Sequence, residues 1–338
     1  MDEELPHLAA VLEAHGLAGA VEEPLPNDGW SGARLTRLTG SDGARFVLKR
    51  DSLELDWIAR VTDDHEVLRE AQLVRAAPRL PWPVRLPHVA VARDGGEMAL
   101  LMPDLSATLL RWEAPVDVGT VDRVLDALAA LHREPWQQQL PQVFPWTDVR
   151  RRVLLLTRRS ARAYETSGNP VGARFRAGWD AFDRQVRPPV RDLIDRLTTS
   201  PAPLFAALAR LPRAGLHGDL KLGNVALAGD GAVDLIDWQM TLEAPAAVEL
   251  GWFLVCNVAG LPLPPDAVLE RYRVLAGLPN DEAWSAQWDL AVLIGLVLRG
   301  WRKGLDTEAG VVLPSGLASA WDLAWWGSQA LGAAERRL

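Results

Sequence analysis

The sequence predicts an α+β chain of two lobes, a small antiparallel β-rich N-terminal lobe (residues 1–102) and a larger, mainly helical C-terminal lobe (residues 103–338). Three observations predict it. The chain has 338 residues, too many for one compact core and suited to two lobes. Its pattern changes near Asp104, from short alternating segments to helical periodicity. The helical part is interrupted by one polar hairpin, GLHGDLKLGNVALAGDGAVDLIDWQ (215–239).

The elements follow in order. RLTRLT (34–39) and ARFVLKR (44–50) alternate and are joined by GSDG, a hairpin signature in which Phe46 and Leu48 face one way and Val47 and Lys49 the other. DDHEVLREAQLVRAA (63–77) predicts a helix capped by Asp63 or Asp64 and ended by PRLPWP (78–83). VRLPHVAVARDGGEMALLMP (84–103) predicts two more strands around DGG. After a crossover near 100–106, VDRVLDALAALH (121–132) places Val121, Val124, Leu125, Leu128 and Leu131 on one face of a helix. Arg-rich helical pieces span 148–165 and 172–197. In the polar hairpin, Val225–Leu227 and Ala232–Ile236 flank Gly229-Asp230-Gly231. Beyond residue 250 the pattern is helical, with Asn280 as a cap ahead of Trp284, Trp288 and Val292.

Composition narrows the function classes. A net charge of −8 leaves no basic excess for a general nucleic-acid binder. Cys256 is the only cysteine, so no intrachain disulfide forms; with no signal-peptide pattern at the N-terminus, a cytoplasmic location is expected. LAVLIGLVL (290–298) is about half the length of a membrane span, so no membrane association is expected. The 15 tryptophans read as core filling in a Gly- and Ala-rich helical lobe.

The polar hairpin carries the chemistry. Asp219, Asn224 and Asp237 lie beside residues that read as buried strand. Two carboxylates and an amide oxygen are hard ligands, suited to a Mg²⁺ that keeps some waters and binds substrate phosphates. Lys221 adds a positive charge, and nothing nearby forms a Ser–His pair or offers a thiol. The set fits phosphate and metal positioning, as phosphoryl transfer requires.

HGDLKLGN (217–224) followed by LIDW (235–238) resembles the catalytic loop and metal-binding acid of the aminoglycoside phosphotransferase and choline kinase-like family, small-molecule kinases with a protein-kinase-like fold. The likeness extends from about residue 25 to 255: WSGARLTRL (30–38) is similar to the nucleotide-covering loop, VLK (47–49) to the strand ending in the phosphate-binding lysine, and ALLMPDL (99–105) to the hinge. The resemblance implies an ATP- and Mg²⁺-dependent kinase acting on a small-molecule hydroxyl. Asp219 would orient that hydroxyl and accept its proton, and Lys221 would neutralise the moving phosphoryl group. Asn224 and Asp237 would hold the metal, and His217 would support the loop. Ser31, Gly32, Lys49, Glu70, Leu101 and Met102 would meet the nucleotide.

The resemblance also implies that a Glu on the next helix holds Lys49 toward the nucleotide phosphates, and Glu66 and Glu70 are the two candidates. At about 100° per residue, Glu70 falls near the middle of the apolar arc of Val67, Ala71, Leu73, Val74 and Ala77, so it is the expected partner. Departures from the family pattern are Leu222 for Pro and Glu249 for a loop-supporting Asp; relative to protein kinases, Trp238 and Gln239 replace Phe and Gly. A protein kinase is the alternative, as is a non-catalytic nucleotide-binding pseudokinase. The short chain between Asp237 and Pro245 disfavours the first, and the full set Lys49, Asp219, Asn224 and Asp237 disfavours the second. The acceptor site is expected from 140–185 and 250–330, which hold Trp146, Tyr164, Trp179, Asp266, Glu270, Trp284 and Trp288. Net charge alone weakly favours a neutral or cationic acceptor.

Overall fold

The structure, a computed structural model, describes residues 5–26, 31–111, 114–257 and 260–338. Helix α1 (Leu8–Ala14) precedes strands β1 (Val21–Leu25), β2 (Arg34–Thr39) and β3 (Arg45–Asp51). Helices α2 (Trp57–Val61) and α3 (Arg69–Ala76) follow, then β4 (Val84–Arg85), β5 (Ala90–Asp94) and β6 (Glu97–Pro103). Among the described residues one sheet has five strands in the order β1-β2-β3-β6-β5, with antiparallel pairing throughout.

This sheet has two differently covered faces. Lys49 stands opposite Leu100, and Val47 opposite Met102, so these four share a face. On that face Met98 and Leu100 pack with Ala71 and Val74 of α3. Leu38, Leu48, Ala99 and Leu101 face the other way, onto Leu8 and Val11 of α1.

The larger lobe begins with α4 (Val118–Arg133), capped by Asp117 and burying Val121, Val124, Leu125, Leu128 and Leu131 as its periodicity predicts. Helices α5 (Val149–Leu154), α6 (Arg158–Thr166), α7 (Pro170–Gln185), α8 (Pro188–Thr199) and α9 (Ala202–Leu208) lead to β7 (Ala214–Leu216). Next come the hairpin strands β8 (Val225–Leu227) and β9 (Val233–Leu235), then β10 (Leu242–Ala244) and helices α10 (Ala247–Asn257), α11 (Pro265–Leu275), α12 (Glu282–Glu308) and α13 (Ser319–Arg337). Trp136, Trp179, Trp238, Trp301 and Trp326 are fully buried, so many of the tryptophans do fill the core.

Several local expectations are corrected. The helix expected over 63–77 begins at Arg69. Asp63 takes a left-handed φ of 52°, and the Asp64 carboxylate accepts the Arg69 N–H at 2.9 Å, so this pair builds a turn instead of a cap at the start. The unexpected α2 is capped by Asp56, which accepts from the N–H groups of Ile58 and Ala59. Each Arg-rich piece is two helices. The first breaks where Thr157 caps α6, the second where Pro188 and Pro189 cannot continue α7. Asp281, not Asn280, caps α12, accepting the Trp284 N–H at 3.0 Å; its charge suits the positive helix end.

The two halves are tied together. Strand β4 pairs in parallel with β9, and Arg85 forms an ion pair with Asp234 across that seam. The main core cluster contains Trp57, Ile58, Leu73 and Val84 alongside the helical lobe's own apolar residues, so a single core crosses residue 103.

Candidate active site

The catalytic-loop candidate leaves β7 at His217. Gly218 has φ 85°, and a Cβ there would lie 2.0 Å from the Met240 carbonyl oxygen, so no side chain fits. Helix α10 holds this loop from outside. Glu249 accepts the His217 N–H at 3.1 Å and the Gly218 N–H at 2.6 Å, and Asn257 accepts the Leu222 N–H at 2.9 Å. Burial would raise the Glu249 carboxyl, but the hydrogen bond from His132, His217 and the Gly218 N–H outweigh it and hold it below its ordinary value. The longer Glu249 side chain therefore makes the loop support directly. His217 Nε2 donates to the Ile236 carbonyl at 2.9 Å, and Nδ1 accepts the Asp219 N–H at 3.2 Å. Both ring nitrogens serve the loop, and none is left for chemistry.

Asp219 is 4% exposed. Its Oδ2 accepts Lys221 Nζ at 2.9 Å and Asn224 Nδ2 at 3.3 Å. Asn224 Nδ2 also donates to the Asp219 carbonyl at 2.9 Å, so the amide oxygen is the atom that side chain has to offer a cation. Burial lowers the Lys221 ammonium, but Asp219 and Asp237 more than reverse this and leave it raised.

Asp237 stands at φ 69°, in the left-handed region, at the end of β9. Its Oδ1 accepts Lys49 Nζ at 2.9 Å, and the same ammonium donates to Glu70 Oε2 at 2.6 Å. Burial raises the Asp237 carboxyl, but Lys49 and Lys221 override it and hold it well below the usual carboxylate range. Glu70 Oε1 accepts the Trp238 N–H at 3.0 Å, so one carboxylate fixes both the lysine and the segment after Asp237. Glu66 is 82% exposed and pairs with Arg93. Lys49 is thus partnered by Glu70, as the helical arc requires.

Other expected positions fall differently. Leu101 points to the α1 face of the sheet, away from Lys49, and its carbonyl accepts the Val89 N–H at 2.8 Å. Alternation along β6 forces this, because Leu100 and Met102 take the cleft face. Ser31 is buried, its hydroxyl accepting the Ala33 N–H at 3.4 Å and its carbonyl the Trp57 N–H at 3.3 Å. The covering-loop residues from Asn27 to Trp30 lie outside the described residues. Gly32 is exposed at φ 102°, with Leu55 so close that a Cβ would lie 2.4 Å from its carbonyl oxygen.

The aromatic residues of the segments expected to supply the acceptor site pack against other residues, Trp146 and Trp288 remaining half-buried. Tyr164 donates to the Leu155 carbonyl and Trp179 to the Leu156 carbonyl, both at 2.8 Å, and Trp284 stacks on Tyr272. Trp288 packs edge-on against Trp284, and Trp146 against Trp136 and Phe144. Asp266 and Glu270 lie exposed on α11. Sequence reading missed Arg152, Arg69, Asp51 and Asp56. Arg152 is fully buried and donates from Nε to the Gly218 carbonyl at 2.7 Å. Arg69, next to Glu70 in sequence, donates to the carbonyls of Pro145 and Gln239. Neither arginine has a spacing signal, because its partners are distant backbone carbonyls.

A family model described as the phosphotransferase enzyme family matches residues 23–287. No curated protein matches the chain. Among solved structures, a choline kinase from Cryptosporidium parvum Iowa II is 10% identical with a TM-score of 0.54, over 94% of this chain and 89% of that one. A choline/ethanolamine kinase family protein from Mesorhizobium loti is 15% identical with a TM-score of 0.50, over 96% of each chain. An amicoumacin kinase in complex with AMP-PNP, Ca²⁺ and Ami is 12% identical with a TM-score of 0.50, over 95% of this chain and 92% of that one. At these identities the likeness is one of fold, the two-lobed kinase-like fold.

Proposed function

The chain belongs to the phosphotransferase enzyme family, and we propose that it transfers the γ-phosphoryl group of ATP to a hydroxyl of a small molecule. The observation that carries this reading is the approach of two charged sets, Lys49 held between Glu70 and Asp237, and Asp219 held by Lys221 and Asn224, with Lys221 within electrostatic reach of Asp237. The first set suits nucleotide phosphates and the second an acceptor hydroxyl. The amicoumacin kinase's AMP-PNP supports a nucleotide as donor.

Asn224 and Asp237 fit a Mg²⁺ ion by donor chemistry, a neutral amide oxygen and a carboxylate kept ionised by its neighbours. Among the described residues no three His, Cys, Asp or Glu side chains form a metal cage, so a metal here would take its other ligands from phosphate and water. When bound, it would compensate negative charge on the phosphates. Lys49, fixed by Glu70, would orient the same phosphates. Asp219 would align the acceptor hydroxyl and take its proton late, as the oxygen becomes acidic. Lys221 would stabilise charge on the moving phosphoryl group and restrain the Asp219 carboxylate.

A small-molecule acceptor is supported by the chain after Asp237. It turns at once through Trp238–Met240 into β10 and then α10, leaving no platform for a peptide. The test is ADP release with a panel of hydroxyl compounds and with mixed peptides, using wild type and Asp219→Ala. Transfer to small molecules only, reduced at least about 100-fold in Asp219→Ala with Mg·ATP binding retained, is the expected result. Labelling of peptides alone, or a variant keeping a tenth of wild-type turnover, would overturn it.

A further inference from the structure

Helix α10 runs alongside the catalytic loop and presents one face to it. Glu249 and Asn257, near its two ends, hold the loop at Gly218 and Leu222. Trp252 and Cys256 lie between them, within about 60° of Glu249 on the helical wheel. What surrounds these two residues is positive. Arg152 of α5 stacks on the Trp252 ring with its Cζ 4.4 Å from the centroid, and Arg299 of α12 has its Cζ 5.7 Å from the same ring. Arg152 is completely buried, and neither Nη group has a hydrogen-bond partner; the buried Trp252 Nε1 also lacks one. Arg299 is half-buried and, among the described residues, forms no ion pair. Cys256 is half-buried within electrostatic reach of Arg299, Lys221, Arg152 and Asp219. Exposed Arg174 of α7 lies within electrostatic reach of Arg299, Arg302 and Asp306, the last two paired with each other.

Two guanidinium groups next to the transfer site therefore lack a carboxylate partner. Buried donors without acceptors are costly unless a ligand supplies one. Among the described residues the carboxylates that act on Arg152 are already engaged, Asp219 by Lys221 and Asn224, and Glu249 by His132 and the N–H groups of His217 and Gly218. An aromatic cage for a cationic headgroup is excluded at Trp252, because guanidinium groups already cover the ring.

We infer that the acceptor carries an anionic group, a carboxylate or a phosphate, which lies against the Arg152–Trp252–Arg299 stack while its hydroxyl meets Asp219. This inference rests on the kinase reading and sets its substrate class. It reverses the bias of the chain's overall charge of −8, since the local field and not the net charge meets the ligand.

Cys256, the only cysteine, is a built-in probe. Its alkylation by anionic iodoacetate is compared with that by neutral iodoacetamide at one pH and ionic strength, in the folded and the urea-unfolded chain. The ratio of the two rates cancels the thiolate fraction. It is expected to rise about tenfold or more on folding and to fall several-fold in Arg299→Met. A ratio unchanged by folding would overturn the inference, whether or not any variant folds. Matched acceptors bearing a carboxylate, an amide or an amine are then screened for ADP release. The carboxylate is expected to exceed its amide by about tenfold or more in kcat/KM, mainly through KM, with the preference reduced in Arg299→Met and Arg152→Lys. Preference for the amine or amide would overturn the inference and leave the kinase reading standing. If no acceptor of any charge drives ADP release but the alkylation ratio rises, the kinase reading fails and only the anion site survives.

Discussion

Lys49 shows how one buried charge orders a site. Its ammonium touches Glu70 at 2.6 Å and Asp237 at 2.9 Å, with side-chain exposures of 8%, 4% and 25% respectively. Burial alone would lower it, but Asp237, Glu70 and Asp51 more than compensate and keep it protonated. A double-mutant cycle with Lys49→Met and Glu70→Gln, read as Mg·ATP affinity, should give a coupling of about 1 kcal/mol or more. The same cycle with Glu66→Gln should give none, because Glu66 forms only an exposed pair with Arg93. Coupling to Glu66 instead would refute the pairing. Glu70 was legible from helical periodicity, since a carboxylate within an apolar arc needs a buried partner. Arg152 was not, because its partners are a distant carbonyl and a ring one domain-length away in sequence.

At the scale of elements, α3 is stapled to the helical lobe by adjacent residues. Glu70 accepts the Trp238 N–H, and Arg69 donates to the carbonyls of Gln239 and Pro145. Arg69 also forms an ion pair with Asp64 at 3.5 Å, both side chains being buried. Arg69→Met removes the guanidinium bonds to Gln239 and Pro145 and leaves the buried Asp64 carboxylate without its counter-ion, held only by backbone N–H groups. It should destabilise the fold by about 3 kcal/mol and weaken Mg·ATP binding, because α3 positions Glu70. Adding Asp64→Asn should recover part of the stability but not the nucleotide affinity. Urea unfolding and Mg·ATP thermal shifts measure the two effects, and a single variant of wild-type stability would sink the argument. The boundaries of α3 were misread because Asp63 and Asp64 build a turn, a choice periodicity does not reveal.

Across the whole molecule, stability should depend on pH through a buried acidic pair, Asp51 at the end of β3 and Asp56 at the cap of α2. Burial pushes the Asp51 carboxyl up to about 6; burial and the charge of Asp51 push Asp56 up to about 8. Unfolded, each returns to about 3.9. The folded chain therefore holds protons that the unfolded chain releases, and their contribution to stability declines from about pH 4 to about pH 8. Asp56→Asn keeps a cap for α2 and removes that titration, so its loss of melting temperature over this window should be shallower than wild type's. Parallel slopes would exclude the pair as the cause. No helix of the described residues is long and apolar enough to cross a membrane. By itself the sequence determined the two-lobed α+β class, the polar hairpin and the spacing of Asp219, Lys221, Asn224 and Asp237, because strand alternation, helical periodicity and turn residues act over a few positions. Only the tertiary structure decided that Glu249 and Asn257 brace the catalytic loop, that Leu101 faces away from the cleft, and that Arg152 and Arg299 flank one tryptophan beside Asp219. Those outcomes depend on which helix packs against which loop, and such contacts join residues too far apart in the chain for any local pattern to record.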